Sequence, residues 1–195
     1  MGKEKYQRRI EALFKKSPVV DSGSIMRLLR EKKNIKQYHK QLIRNLISGG
    51  KIERLARGCY TMHKDPSLAV FCFKPAYLGL QDALSIHGLW EQETIPVIIT
   101  SSRARQGIRK IMGANVLVRR LSGKYLFGFE YIKQGEFHVP VSDIEKTFID
   151  MVYFRQSMGK DLLNNFRKMI DRKKLDKYLE SYPEKTRAKA IRMLG

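Results

Sequence analysis

The side chains with the most evident chemistry lie on one face of a short helical pattern. Lys36, Gln37, Lys40, Gln41, Arg44 and Asn45 recur at the three- and four-residue spacings that share one side of an α-helix. Gln and Asn can make paired hydrogen bonds to adenine in a major groove, and Arg and Lys can do the same to guanine. Any of the four can also hold a backbone phosphate. His39 stands at the margin of this face. Ile35, Tyr38, Leu42, Ile43, Leu46 and Ile47 form the apolar side and its flanks. A polar helix face taken alone is most often ordinary solvated surface, so the neighbouring segments must decide.

Those neighbours form a recognisable order. Ile25, Leu28 and Leu29 repeat at helical spacing before the face, and Lys32-Lys33-Asn34 is a polar break short enough to be a turn between helices. Ser48-Gly49-Gly50 stops the following helix, because a glycine accepts the left-handed conformation just past a helix end. Lys51 to Leu55 then alternates polar and apolar, Ala56-Arg57-Gly58 turns, and Cys59 to Met62 returns. This predicts a helix-turn-helix followed by a two-stranded wing. Recognition helices of such motifs aim their N-terminal half at base edges. Lys51, Arg54 and Arg57 on the wing can reach phosphates or a narrow minor groove. An opening helix over residues 3–15, with Tyr6, Ile10, Leu13 and Phe14 as its stripe, ends at Ser17-Pro18. Val19-Val20 reads as a short strand or link, and Ser22 or Ser24 as the cap of the next helix.

The whole-chain charge fits an anionic polymer as partner. The 195 residues carry 39 Lys and Arg against 19 Asp and Glu, a formal charge of +20. Residues 1–64 hold 17 basic and 5 acidic residues, more than half of the excess. The two cysteines make no disulfide framework, and neither a signal peptide nor a long apolar run is present. The expectation is a cytoplasmic protein with double-stranded DNA as its partner and no membrane association.

Composition shifts near Lys64–Pro66, which sets the expected domains at 1–64 and 65–195. Tyr77 to Gly88 reads as a helix. Ile95 to Thr100, Val116 to Leu121 and Tyr125 to Ile132 read as strands, with Phe137 to Pro140 pairing as a last short one. Ser101 to Gly107 is a basic loop. Ser142-Asp143-Ile144-Glu145 fits a capping box that opens a long helix. Leu162 to Ile170, Leu175 to Leu179 and Ala188 to Leu194 mark three more helices. The predicted fold class is α+β: an N-terminal winged helix-turn-helix, then an α+β domain with a helical C-terminal tail.

Three segments, in order, resemble the AbiEi-type antitoxin and transcriptional-regulator family of type IV toxin–antitoxin systems. They are the wing ending Gly58-Cys59-Tyr60, the run Tyr77-Leu78-Gly79-Leu80-Gln81-Asp82-Ala83-Leu84-Ser85-Ile86-His87-Gly88-Leu89, and Ile144-Glu145-Lys146-Thr147-Phe148-Ile149-Asp150. The similarity covers roughly residues 1–155, and the chain is short after the third segment. The resemblance implies a DNA-binding N-terminal domain that represses its own operon, at an operator that can contain inverted repeats. It also implies a C-terminal domain that opposes a cognate nucleotidyltransferase-like toxin, a functional and not necessarily physical partner.

Other chemistries have less to stand on. Cys59, His63, Cys72 and His87 match no closed zinc spacing. Glu145 with Asp150, or Asp171-Arg172-Lys173, resembles the acidic triplet of a nuclease, yet Glu145 is already explained as a capping residue. No nucleophile elbow and no glycine-rich phosphate loop is present. The expectation is therefore a sequence-specific regulator without catalytic residues, metal or cofactor. Two alternatives stay open: a nuclease-like enzyme that a winged helix targets to nucleic acid, and a basic RNA-binding protein, since charge alone does not separate DNA from RNA.

Overall fold

Apolar spacing accounts for the first elements of the computed structural model, which describes residues 2–29 and 34–195. Helix α1 (Gly2–Lys16) places Tyr6, Ile10 and Phe14 inward, and Pro18 prevents its continuation. A two-residue strand β1 (Val20–Asp21) leads into α2 (Ser22–Leu28). The α2 cap is Asp21, whose Oδ1 accepts from Ser24 N at 2.8 Å, so neither Ser22 nor Ser24 caps it as expected. Bonds from Ser24 draw the Asp21 carboxyl below its ordinary value despite the opposing effect of burial.

Of the expected turn Lys32-Lys33-Asn34, only Asn34 falls within the described residues. It precedes α3 (Ile35–Ser48) at φ 58°, in the left-handed region. Past α3, Gly50 takes φ +64°, and strands β2 (Glu53–Ala56) and β3 (Cys59–Thr61) pair antiparallel around Gly58 at φ +79°. The small sheet runs β1-β3-β2. Ile10, Ile25, Leu29, Ile43, Leu46, Ile52 and Tyr60 meet in one core, with Ile25 and Leu29 fully buried.

A short 3-10 turn (Pro66–Cys72) precedes the larger sheet. Strand β4 (Ala76–Leu78) occupies the start of the segment expected to be helical, and Leu80 at φ 55° separates it from the shorter helix α4 (Gln81–Ile86). Ala76 to Leu78 is buried throughout, so its apolar run lacks the alternation that marks a half-exposed strand. The remaining strands are β5 (Val97–Thr100), β6 (Gly107–Ile111), β7 (Ala114–Arg120), β8 (Phe129–Gln134) and β9 (Phe137–Ser142). Strand β6 starts at Gly107, the last residue of the expected basic loop, and runs through residues for which the sequence pattern predicts no element; Tyr125 lies in a 3-10 turn ahead of β8. The six-stranded order is β6-β7-β5-β4-β9-β8; β4 pairs parallel with β9, and β5 pairs parallel with β7.

Four helices complete the chain: α5 (Ile144–Tyr153), α6 (Lys160–Met169), α7 (Arg172–Leu179) and α8 (Glu184–Leu194). The cap of α5 is Asp143, which accepts from Lys146 N at 2.8 Å, in place of the expected Ser142. Ser142 ends β9 instead, sharing a hydroxyl–hydroxyl bond of 2.8 Å with Thr147. Phe148, Met151, Phe166, Leu175 and Ala190 join Tyr77, Leu84 and Ile99 in a second core. The architecture is α+β. Residues 1–72 with 110–114 form one compact unit, and 73–109 with 115–195 form the other.

Candidate nucleic-acid interface

Helix α3 turns Ile43 and Leu46 into the first core, and its 3.6-residue period then turns Lys36, Gln37, Lys40, Gln41, Arg44 and Asn45 to solvent. All six are exposed. Gln41 Nε2 donates to Asn45 Oδ1 at 2.9 Å, which aligns the two amides along the helix. No acidic residue sits in the first turn and Asn34 makes no side-chain cap, so among the described residues no carboxylate offsets the positive end of the helix dipole.

The β2–β3 hairpin follows directly, since Lys51 N and Ile52 N both donate to Leu46 O, at 2.9 and 3.4 Å. At its far end Ser22 N donates to Gly58 O at 2.8 Å, fastening the hairpin turn to the start of α2. Lys51, Arg54 and Arg57 are exposed along it. Lys51 pairs with Glu11 at 3.5 Å across solvent, an interaction screened by salt. Arg54 Nε leans back to Ala56 O at 3.4 Å. Lys36, Lys40, Arg44, Arg54 and Arg57 take part in no ion pair among the described residues. A run of cations without carboxylates creates a local positive field, able to displace the counterions of a polyanion.

His39 is the exception among the expected residues. It is 9 % exposed and belongs to the buried side of α3, so it cannot face a ligand alongside Lys40. Position 39 lies four residues before Ile43 on the same helical row, which a reading of residue types alone passes over. Its Nε2 has no hydrogen-bond partner among the described residues, and burial holds its imidazole below the ordinary value. Ile47, expected on the apolar flank, is 39 % exposed instead.

A second polar constellation was not foreseen as a unit. Lys146 and Asp150, one turn apart on α5, form an ion pair with no solvent exposure on either side chain. Tyr77 on β4 donates its hydroxyl to Asp150 Oδ2 at 2.6 Å, and the Lys146 ammonium lies 5.3 Å from the Tyr77 ring and 5.7 Å from that of Tyr182. Burial pulls the ammonium below its usual range and pushes the Asp150 carboxyl up, each partly offset by the other's charge. Burial and then Asp150 hold the Tyr77 phenol well above its usual value. Nearby, Lys174 bridges Asp143 at 3.1 Å and Glu145 at 2.9 Å, while Glu145 Oε1 accepts from Asp171 N at 2.9 Å. The Tyr178 phenol, pushed up to about 12 by burial and by its bond to Asp143, completes the group.

These contacts bind α5 to β4 and α7. Asp150 is sealed and Glu145 is occupied, so neither offers free oxygens in the arrangement a nuclease triplet requires. Among the described residues, no three His, Cys, Asp or Glu side chains cluster so as to hold a metal ion. No described helix is long and apolar enough to cross a membrane. The signal available in sequence was the Lys146–Asp150 spacing of four on a helix with an apolar surround.

No protein-family model matches this chain, and no curated protein matches it. Among solved structures, the crystal structure of the RV2827C protein from Mycobacterium tuberculosis is similar in fold, with a TM-score of 0.61 at 15 % identity. The likeness covers 96 % of this chain and 75 % of that one.

Proposed function

We propose that this chain is a sequence-specific, DNA-binding transcriptional regulator whose residues 1–64 act as a winged helix-turn-helix. The observation that carries the reading is the exposed face of α3. It combines side chains suited to purine edges with cations that form no ion pair among the described residues, and a hairpin bearing Arg54 and Arg57 follows it. In this reading α3 enters the major groove, Gln37, Lys40, Gln41 and Arg44 address bases, and Lys36, Lys51, Arg54 and Arg57 hold phosphates. The second compact unit, 73–109 with 115–195, lies outside this DNA-reading segment. The resemblance to AbiEi-type regulators extends the reading to a cytoplasmic antitoxin that represses its own operon and opposes a nucleotidyltransferase-like toxin. No catalysis and no cofactor enter it.

The test is operator binding. Footprinting on the DNA upstream of the protein's own gene locates the operator, and Gln41→Ala and Arg44→Ala are then titrated against it. Each should lose about 1–3 kcal/mol, roughly 5- to 150-fold, per base contact removed. Binding to random duplex should change less. Wild-type operator affinity in both variants would refute the assigned face, and preference for a structured RNA competitor would refute DNA as the ligand.

A further inference from the structure

Between Glu93 and Glu130 the chain contains no acidic residue and seven Lys and Arg. The sheet of the second unit gathers four of these cations. Because β5 and β7 run parallel with Thr100 opposite Arg120, the segments leaving their C-terminal ends emerge side by side. Leu121 N donates to Thr100 O at 2.9 Å, and Arg120 N donates to Gln106 Oε1 at 3.0 Å, which fastens the 101–106 loop to β7.

The loop is built rather than loose. Buried Thr100 donates its hydroxyl to Phe73 O at 2.6 Å and accepts from Ser102 N at 2.9 Å. Arg109 lies over the Phe73 ring at 5.4 Å and donates Nη2 to Arg105 O at 2.6 Å. Arg103, Arg105, Arg120 and Lys124 are exposed, and none belongs to an ion pair among the described residues.

We propose that this end of the six-stranded sheet is a second nucleic-acid site, which takes the phosphate backbone of duplex DNA through Arg103, Arg105, Arg120 and Lys124. Guanidinium groups suit phosphate through paired hydrogen bonds. The four cations sit on a loop, a strand end and a short 3-10 turn, not on an α-helix able to enter a groove, so the site adds affinity and leaves sequence choice to other residues. The proposal does not depend on α3 being the recognition helix.

The experiment compares four full-length proteins on a random-sequence duplex across a salt series. They are the wild type, the quadruple variant Arg103→Gln, Arg105→Gln, Arg120→Gln and Lys124→Gln, the α3 variant Lys40→Ala and Arg44→Ala, and a charge-matched control. The control carries Lys168→Gln, Lys173→Gln, Lys177→Gln and Lys185→Gln, all exposed positions on the C-terminal helices. Four lost phosphate contacts should flatten log K against log salt by about three to four units. The control should keep the wild-type slope. All four substituted side chains are exposed, so unchanged circular dichroism and melting temperature in the quadruple variant exclude misfolding. A wild-type slope in the quadruple variant overturns the proposal, as does equal flattening in the control, which would make the effect one of net charge. Flattening confined to an RNA duplex overturns the choice of DNA. Loss in the quadruple variant with none in the α3 variant sustains this site and counts against the α3 reading.

Discussion

Removing either partner of the Lys146–Asp150 pair should cost far more than removing both. Each side chain has no solvent exposure, and the pair is enclosed by the Tyr77, Phe127 and Tyr182 rings. Lys146→Met leaves a buried carboxylate with only the Tyr77 hydroxyl for a partner. Truncating one member of a buried pair costs about 3–5 kcal/mol, whereas replacing both by apolar residues of similar volume ranges from neutral to about 1–4 kcal/mol stabilising. The single variants Lys146→Met and Asp150→Leu are therefore expected to lose several kcal/mol, and the double variant to recover most of it. Urea unfolding of all four proteins at neutral pH gives the coupling energy by a double-mutant cycle.

The pH dependence adds a signature specific to the carboxylate. In Lys146→Met the folded-state Asp150 carboxyl lies above its unfolded value of about 3.9, because burial now acts without the offsetting cation. The folded form then binds the proton more tightly, so this variant's deficit should shrink as pH falls through the raised value. Additive single variants, or a deficit in Lys146→Met that does not change with pH, would refute a tightly coupled charged pair.

Three further outcomes are expected. Arg54→Ala with Arg57→Ala should reduce the salt slope of duplex binding by up to about two units, read by fluorescence anisotropy at several ionic strengths. His39→Phe should remove an acid-side loss of stability. The depressed folded-state value means stability present above the unfolded value of about 6.5 is lost as pH falls through the folded one, and parallel wild-type and variant curves would contradict this. Gly128→Ala should cost about 2–5 kcal/mol through left-handed strain and overpacking, because Gly128 has φ +67° and an added Cβ would sit 2.7 Å from the Tyr178 ring. Gly135→Ala, at φ +57° with open space around it, should cost about 1–2 kcal/mol in the same thermal melts.

Short-range periodicity carries much of the local structure. The helix at Ile35–Ser48 follows from its apolar row and the glycines behind it, and the hairpin around Gly58 follows from alternation on either side of a turn. The three helices after residue 159 follow from apolar spacing between charged turns and Pro183. Each depends on residues a few positions apart, whose relation the chain itself supplies. The Lys36–Asn45 face and the basic hairpin were legible for the same reason.

Other features depend on partners far away in sequence. Tyr77 and Leu78 resembled the start of a helix because a strand buried on both faces shows no alternation; the pairing of Ala76 to Leu78 with β5 and β9 makes that segment a strand. Asp143 took the cap expected of Ser142 because Ser142 is the last residue of β9 and bonds to Thr147. Glu145 is held by Asp171 N, and Asp150 by Tyr77, a residue 73 positions earlier. His39 became core because α3 packs that row inward. Sequence by itself determined which segments coil or alternate and where the positive charge is dense. Tertiary structure alone decided which polar groups are sealed and which cations converge, because a parallel pairing such as Thr100 with Arg120 is set by chain closure over distance.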